Sequence, residues 1–256
     1  MKSKEKIDHR IYDDYYFRDV TGYTIDDHYV FRTAKRLINS TFGKRKGRVL
    51  DIGFGRGEML KYLYDAGWNS MGVDCSESAV KKAKAEIGER KISLLKKEVS
   101  EMNFPEDFFD LVLFLNVWEH LNESEINLVL STVSKILKKD GFFIAQTSPT
   151  KYQVKLGHFL MRLLGLTPNS PAWHINEQSY GSVLASLNKH NLTGKVWLER
   201  TPKFWSSQID AKQRMLKFIL CLFDKIIDSK IGSFFIDRYP INRFFATDIW
   251  IIAINI

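Results

Sequence analysis

Residues 48–58 read RVLDIGFGRGE: a short apolar run ends in an acid, and three glycines follow at alternate positions. Glycine weakens helix and strand alike. Gly53, Gly55 and Gly57 set directly after a strand therefore mark a backbone that turns sharply or lies against a ligand. A glycine turn between a first strand and a helix is a feature of α/β sheets.

The following segments keep up the alternation. Glu58–Ala66 puts Met59, Leu60 and Leu63 on one helical face, and Gly67 ends it. NSMGVD predicts a second strand, and Ser76 caps a helix running to Gly88. KISLLKKEV predicts a third strand. FFDLVLFLN, nearly all apolar, predicts a fourth that is covered on both faces. Asn122 or Ser124 caps a helix to Leu137, Lys138–Gly141 reads as a stop, and FFIAQTS predicts a fifth strand. Residues 45–148 thus predict an α/β fold with a doubly wound, mostly parallel, Rossmann-like sheet. A strand at Gly194–Glu199 and the closing DIWIIAINI make it seven-stranded, with helical insertions. Thr24–Asp26 predicts the cap of a helix to about Asn39, and residues 154–166 and 176–187 predict further helices.

Composition narrows the classes. Apolar residues make up 45% of the 256, enough for a full core. Cys75 and Cys221 are the only cysteines, which excludes a disulfide framework and a paired-cysteine zinc motif. The opening MKSKEKIDHR has no secretory signal pattern, so a cytoplasmic, reducing setting is expected. Net charge is +8, dispersed, with small clusters at Lys2–Lys6, Lys44–Arg48 and Lys81–Lys84. The chain shows no zinc finger, ribonucleoprotein motif or continuous basic helix, which argues against nucleic acid as a partner.

Two ligand classes use such a glycine turn. A dinucleotide is read by G-x-G-x-x-G, with its pyrophosphate at a helix N-terminus. Here the spacing is G-x-G-x-G, and Glu58 stands where that fingerprint wants glycine or alanine. Its charge would repel a phosphate. An amino-acid tail bearing a sulfonium has no phosphate to repel. Asp74, ending the second strand, suits a ribose diol, but NAD would suit it equally.

The stretches VLDIGFGRGEML, GVDCS, KKEVSEMNFPEDFFDLVLFLNVWEHL and ILKKDGFFIAQTSP, in this order and spacing, resemble the class I S-adenosylmethionine (SAM) dependent methyltransferases. The resemblance implies SAM as cofactor and S-adenosylhomocysteine as product. It also implies that Asp51 organises the methionine end, while Gly53, Phe54, Gly55 and Gly57 let the backbone pass close to it and to the ribose. Asp74 would hold the ribose hydroxyls and Cys75 would lie beside the adenine. Glu98 and Val99 stand where the family usually has an Asp-Ala pair for the adenine, and Asn116 and Val117 would flank the sulfonium.

Methyl transfer to an alcohol or phenol needs a general base. The catalytic candidates are Glu119 and His120, past the fourth strand, and His174, after the fifth; the topology can bring them to one rim. The Glu-His pair is similar to that of ubiquinone-pathway O-methyltransferases and small-RNA 3′-end 2′-O-methyltransferases. Some of those use a carboxylate–histidine cluster around a divalent metal. They carry another glutamate where this chain has Asn116, so an anionic ligand is missing and metal ligands stay unassigned.

The resemblance divides the chain into an N-terminal lid or arm (1–44), a SAM-binding core (45–150) and an acceptor side (151–256) with a helical insert at about 201–245. The insert holds Met215–Phe223, apolar except for Lys217 and too short to span a bilayer. It reads as an interfacial helix or as a lobe burying its apolar face. The expected function is methyl transfer to an oxygen of a small, lipid-linked or glycan acceptor, with peripheral membrane contact. The alternatives are an RNA or protein methyltransferase, or an inactive SAM-binding, membrane-docking protein. NVWE follows the fourth strand in place of the Asn/Asp-Pro-Pro-Tyr pattern of amino-group methylation.

Overall fold

The apolar runs become strands and the capped runs become helices in the computed structural model, which describes Tyr12 and residues 28–163, 174–207 and 214–255. The first half comprises α1 (Tyr29–Phe42), β1 (Arg48–Ile52), α2 (Glu58–Asp65), β2 (Asn69–Asp74), α3 (Glu77–Ile87), β3 (Ser93–Lys96), β4 (Phe109–Leu115), α4 (Glu123–Ile136) and β5 (Leu137–Thr147). The second comprises α5 (Lys151–Leu163), α6 (Tyr180–Lys189), β6 (Leu192–Glu199), α7 (Phe204–Ser207), α8 (Arg214–Ile227), α9 (Lys230–Ile236), α10 (Asn242–Phe245) and β7 (Asp248–Asn255).

The strands form one seven-stranded sheet in the order β3-β2-β1-β4-β5-β7-β6. All pairs are parallel except those of β7, which runs antiparallel to β5 and β6. The chain winds outward from β1 to β3 and then returns to β4 on the other side of β1. That reversal opens a crevice at the carboxyl ends of β1 and β4.

Alternation along β4 explains why it is buried on both faces. Val112 and Phe114 pack with Val129, Leu130 and Val133 of α4. Leu111 and Leu113 point the opposite way, into a cluster with Ile38 of α1 and Leu63 of α2. Ser76 caps α3, accepting from the Ala79 N–H at 3.1 Å. Asn122, rather than Ser124, caps α4, accepting from the Glu125 N–H at 3.0 Å.

Several boundaries differ from expectation. Lys138–Gly141 is no stop: it lies inside β5, whose pairing with β4 shifts register between Phe109 and Leu111. Lys138 reaches back to Asp110 at 2.8 Å, and a side chain on Gly141 would sit 3.0 Å from the Phe109 carbonyl. The run expected as a helix from Asn176 begins instead at Tyr180, because the Ile175 and Asn176 N–H groups bond to the Glu119 carbonyl. α1 runs past Asn39 to Phe42, and its expected cap at Thr24–Asp26 lies outside the described residues. The third strand is shorter than KISLLKKEV, since Val99–Glu101 turn into a 3₁₀ helix.

Truncating the fully buried Phe114 to alanine should cost about 3–5 kcal/mol in urea unfolding, because the site lies between two packed layers and cannot collapse. Leu128→Ala, on the exposed side of α4, should stay within about 0.5 kcal/mol.

Candidate functional site

The crevice begins where β1 runs out. Gly53 adopts φ +77°, and a Cβ there would collide with the Val117 side chain. Gly57, at φ +84°, leads into α2 and packs so close to α3 that a Cβ would lie 2.9 Å from the Ala83 methyl. Asp74 ties the turn down: one carboxylate oxygen accepts the Gly55 N–H at 3.0 Å and the other the Ser76 N–H at 2.9 Å.

On the far side, Asn116 sits at φ +55° just past β4, a left-handed conformation that asparagine tolerates better than most residues. Its N–H donates to the Gln146 side-chain oxygen at 3.2 Å. The Gln146 amide donates in turn to Asp248 at 2.6 Å, and Tyr29 also donates its hydroxyl proton to Asp248. Residues from α1, β5 and β7 thereby hold one wall of the crevice.

The residues expected to bind a cofactor nearly all line this one cleft. Asp51, Gly53, Phe54 and Gly55 come from the β1 end, and Asp74 and Cys75 from the β2 end. Glu98 and Val99 follow β3, and Asn116 and Val117 follow β4. Gly57 is not among the lining residues; it serves the packing of α2 on α3. Tyr12, Phe31, Arg56 and Lys97 also line the cleft, and no motif spacing pointed to them. Tyr12 and Phe31 fall in the 1–44 segment expected as a lid or arm, Arg56 lies inside the glycine turn, and Lys97 precedes Glu98.

Asp51 is buried, and its carboxyl is pushed up to about 7, first by desolvation and then by the charges of Asp74 and Glu58. Glu58 also lines the cleft and accepts from the Arg56 Nε at 2.6 Å. Asp51, Asp74 and Glu58, the last already paired with Arg56 of the turn, converge here and suit a cation, which would relieve their mutual repulsion.

At the edge of the cleft, Glu119, His120 and His174 come together as the topology allowed. Ligand atoms from each lie within 4.8 Å of one another, and the two imidazole rings are 5.3 Å apart. Glu119 is buried, accepts from the Thr147 hydroxyl at 3.0 Å, and is pushed up to about 8 by desolvation. Burial holds His174 down to about 4, so it is neutral near pH 7. His120 lines the cleft itself and meets the Tyr12 ring edge-on at 5.6 Å. One oxygen and two nitrogens suit a zinc-like ion, while no second carboxylate for a hard-cation site joins the cluster among the described residues. A bound ion would displace the Glu119 proton.

Known proteins resemble this chain in sequence and in fold. Residues 50–145 match the family described as a methyltransferase domain. The ubiquinone biosynthesis O-methyltransferase of Pelagibacter ubique is 32% identical over 105 residues, which cover 40% of this chain and 43% of that protein. The eEF1A lysine and N-terminal methyltransferase of Mus musculus is 29% identical over 128 residues, 45% of this chain and 18% of that one. The chain thus spans less than two thirds of the curated relatives it matches. A SAM-dependent methyltransferase of Archaeoglobus fulgidus shares the fold at a TM-score of 0.58 and 21% identity, over 95% of this chain and 100% of that chain. Residues 50–145 thus carry a methyltransferase-domain match on a fold shared with a SAM-dependent methyltransferase, and SAM is the methyl donor this implies.

Asp51 links this donor to pH. A cation bound beside it favours the ionised carboxylate, so binding expels a proton wherever the free protein still holds one. SAM affinity should therefore weaken as pH falls below about 7, the value to which Asp51 is raised, by up to about tenfold per pH unit. Calorimetry from pH 5 to 7 should show that slope, and Asp51→Asn should flatten it.

Proposed function

We propose that this protein transfers the SAM methyl group to an oxygen of a small, lipid-linked or glycan acceptor. The observation that carries the reading is the Glu119–His120–His174 cluster, with its carboxyl buried, at the edge of a carboxylate-lined cleft. Bound SAM supplies a sulfonium methyl group open to in-line displacement. Asp51 and Glu58 favour the donor's cationic end, Asp74 its ribose, and the Cys75, Glu98 and Val99 wall its adenine. Asn116 and Val117 set the position of the sulfonium.

His120 is the proton acceptor in this reading, because it alone of the three lines the cleft. The methyl carbon of bound SAM would pass to the acceptor oxygen, and the carbon–sulfur electron pair would stay with sulfur. The hydroxyl proton passes to His120. Glu119, anchored by Thr147, and His174 hold the imidazole in place. The arm over 1–44, the core over 45–150 and the acceptor side over 151–256 are part of the same proposal, as is a cytoplasmic location with peripheral membrane contact.

Methylation of protein or RNA is the competing reading, favoured by the +8 charge and by the likeness to a lysine methyltransferase. Incubating a lysate with the protein and methyl-labelled SAM, then separating lipid, glycan, RNA and protein, decides between them. Label in lipid or glycan supports an oxygen acceptor of this kind, and label confined to protein or RNA overturns it. His120→Ala should slow turnover about 10²–10⁴-fold with SAM affinity little changed. An equally fast variant would exclude His120 as the base.

A further inference from the structure

An amphipathic helix on a water-soluble surface turns its apolar stripe inward. α8 does the reverse. Met215, Phe218, Ile219, Leu222 and Ile226 repeat at helical spacing and are 79, 65, 52, 44 and 66% exposed. α9 continues the surface with Ile231, Phe234 and Phe235, all more than half exposed. Apolar patches of this extent mark a contact surface.

The charges are sorted just as sharply. Asp224, the only carboxylate in α8, is buried and accepts the Ser206 N–H at 2.8 Å. Asp228, at the α8–α9 junction, bonds to Arg200 and accepts the Lys203 N–H at 2.8 Å. Asp237, after α9, accepts from the Arg200 Nε at 3.0 Å. The three carboxylates are thus engaged by Arg200, Lys203 and Ser206, with Asp237 itself exposed, while Arg214, Lys225, Lys230 and Arg238 are exposed along the same two helices and their flanks. No described helix is long and apolar enough to cross a membrane.

We infer that the α8–α9 face docks on an anionic lipid bilayer, its apolar stripe in the headgroup–acyl boundary and its cations on lipid phosphates. A second copy of the chain is a poorer occupant, since two such faces would set the same cations against each other. The insert leaves β6 and rejoins β7 at the carboxyl-end rim of the sheet, the rim that also carries the cleft. Docking there brings the site to a lipid-linked acceptor. This deepens the functional reading above and rests on it for the acceptor, though the docking itself needs no cofactor.

The test is co-sedimentation of the full chain with vesicles of phosphatidylcholine plus phosphatidylserine, beside pure phosphatidylcholine vesicles. Binding should favour the anionic vesicles, weaken with salt, and fall by about tenfold or more in Phe218→Ser/Leu222→Ser and in Lys225→Glu/Lys230→Glu. These positions are exposed, so SAM affinity by calorimetry should stay at the parent value in both variants. Absence of vesicle binding, or equal binding by parent and variants, overturns the inference. So does a parent dimer that the serine variant converts to monomer, because the face then joins two copies. SAM binding without vesicle binding sinks the docking alone; vesicle binding without SAM binding sinks the methyl-transfer reading alone.

Discussion

The parallel pairing of β1 with β4, in register from Val49–Leu111 to Asp51–Leu113, sets the position of everything at the site. β4 is apolar on both faces and must be covered on both, so it occupies the middle of the sheet. With β1 beside it, the glycine turn after one strand meets Asn116 and Val117 after the other. The contact is close enough that Gly53 has no room for a side chain. The crevice follows from this pairing and the reversal of winding direction that accompanies it.

Two buried carboxyls border that crevice, and their surroundings separate their chemistry. Asp51 is raised partly by like charges that also line the cleft, so an incoming cation changes its state. Glu119 is raised by burial, with its oxygen already hydrogen-bonded by Thr147, so it stays a neutral support beside two imidazoles until something with a strong positive charge reaches it. In the proposed reaction the first position holds the charged donor and the second steadies the base. The outer insert follows the opposite rule, with Asp224 turned in and greasy side chains turned out.

Much of this was legible in the chain itself. The sheet, the crossovers and the cap at Ser76 follow from local periodicity and capping chemistry, which act over a few residues, while most of the cleft lining was expected from the family resemblance. The juxtaposition of Glu119, His120 and His174 was also readable, because parallel topology leaves few places for residues past neighbouring strands. Less legible were features that depend on distant partners. Nothing near Asp248 marks it as the anchor of Gln146, which lies 102 residues away. The bulge at Lys138–Gly141 looked like a helix stop, since Lys-Lys-Asp-Gly ends helices well in isolation; only pairing with Phe109 and the reach to Asp110 draw it into a strand.

What the amino-acid order determined alone is the class of fold and the chemical kind of ligand, because backbone preference, apolar period and charge beside a glycine turn are local properties. What tertiary structure decided is which residues act together. It set the raised carboxyl at Asp51, which needs Asp74 and Glu58 brought close, and the exclusion of Gly57 from the cleft. It also chose which side of α8 meets the outside. A helical stripe reads the same whether it faces in or out; the seating of Asp224 on the Trp205 and Ser206 N–H groups, the burial of Ile227 and the packing of Phe223 on Trp205 set which side faces out.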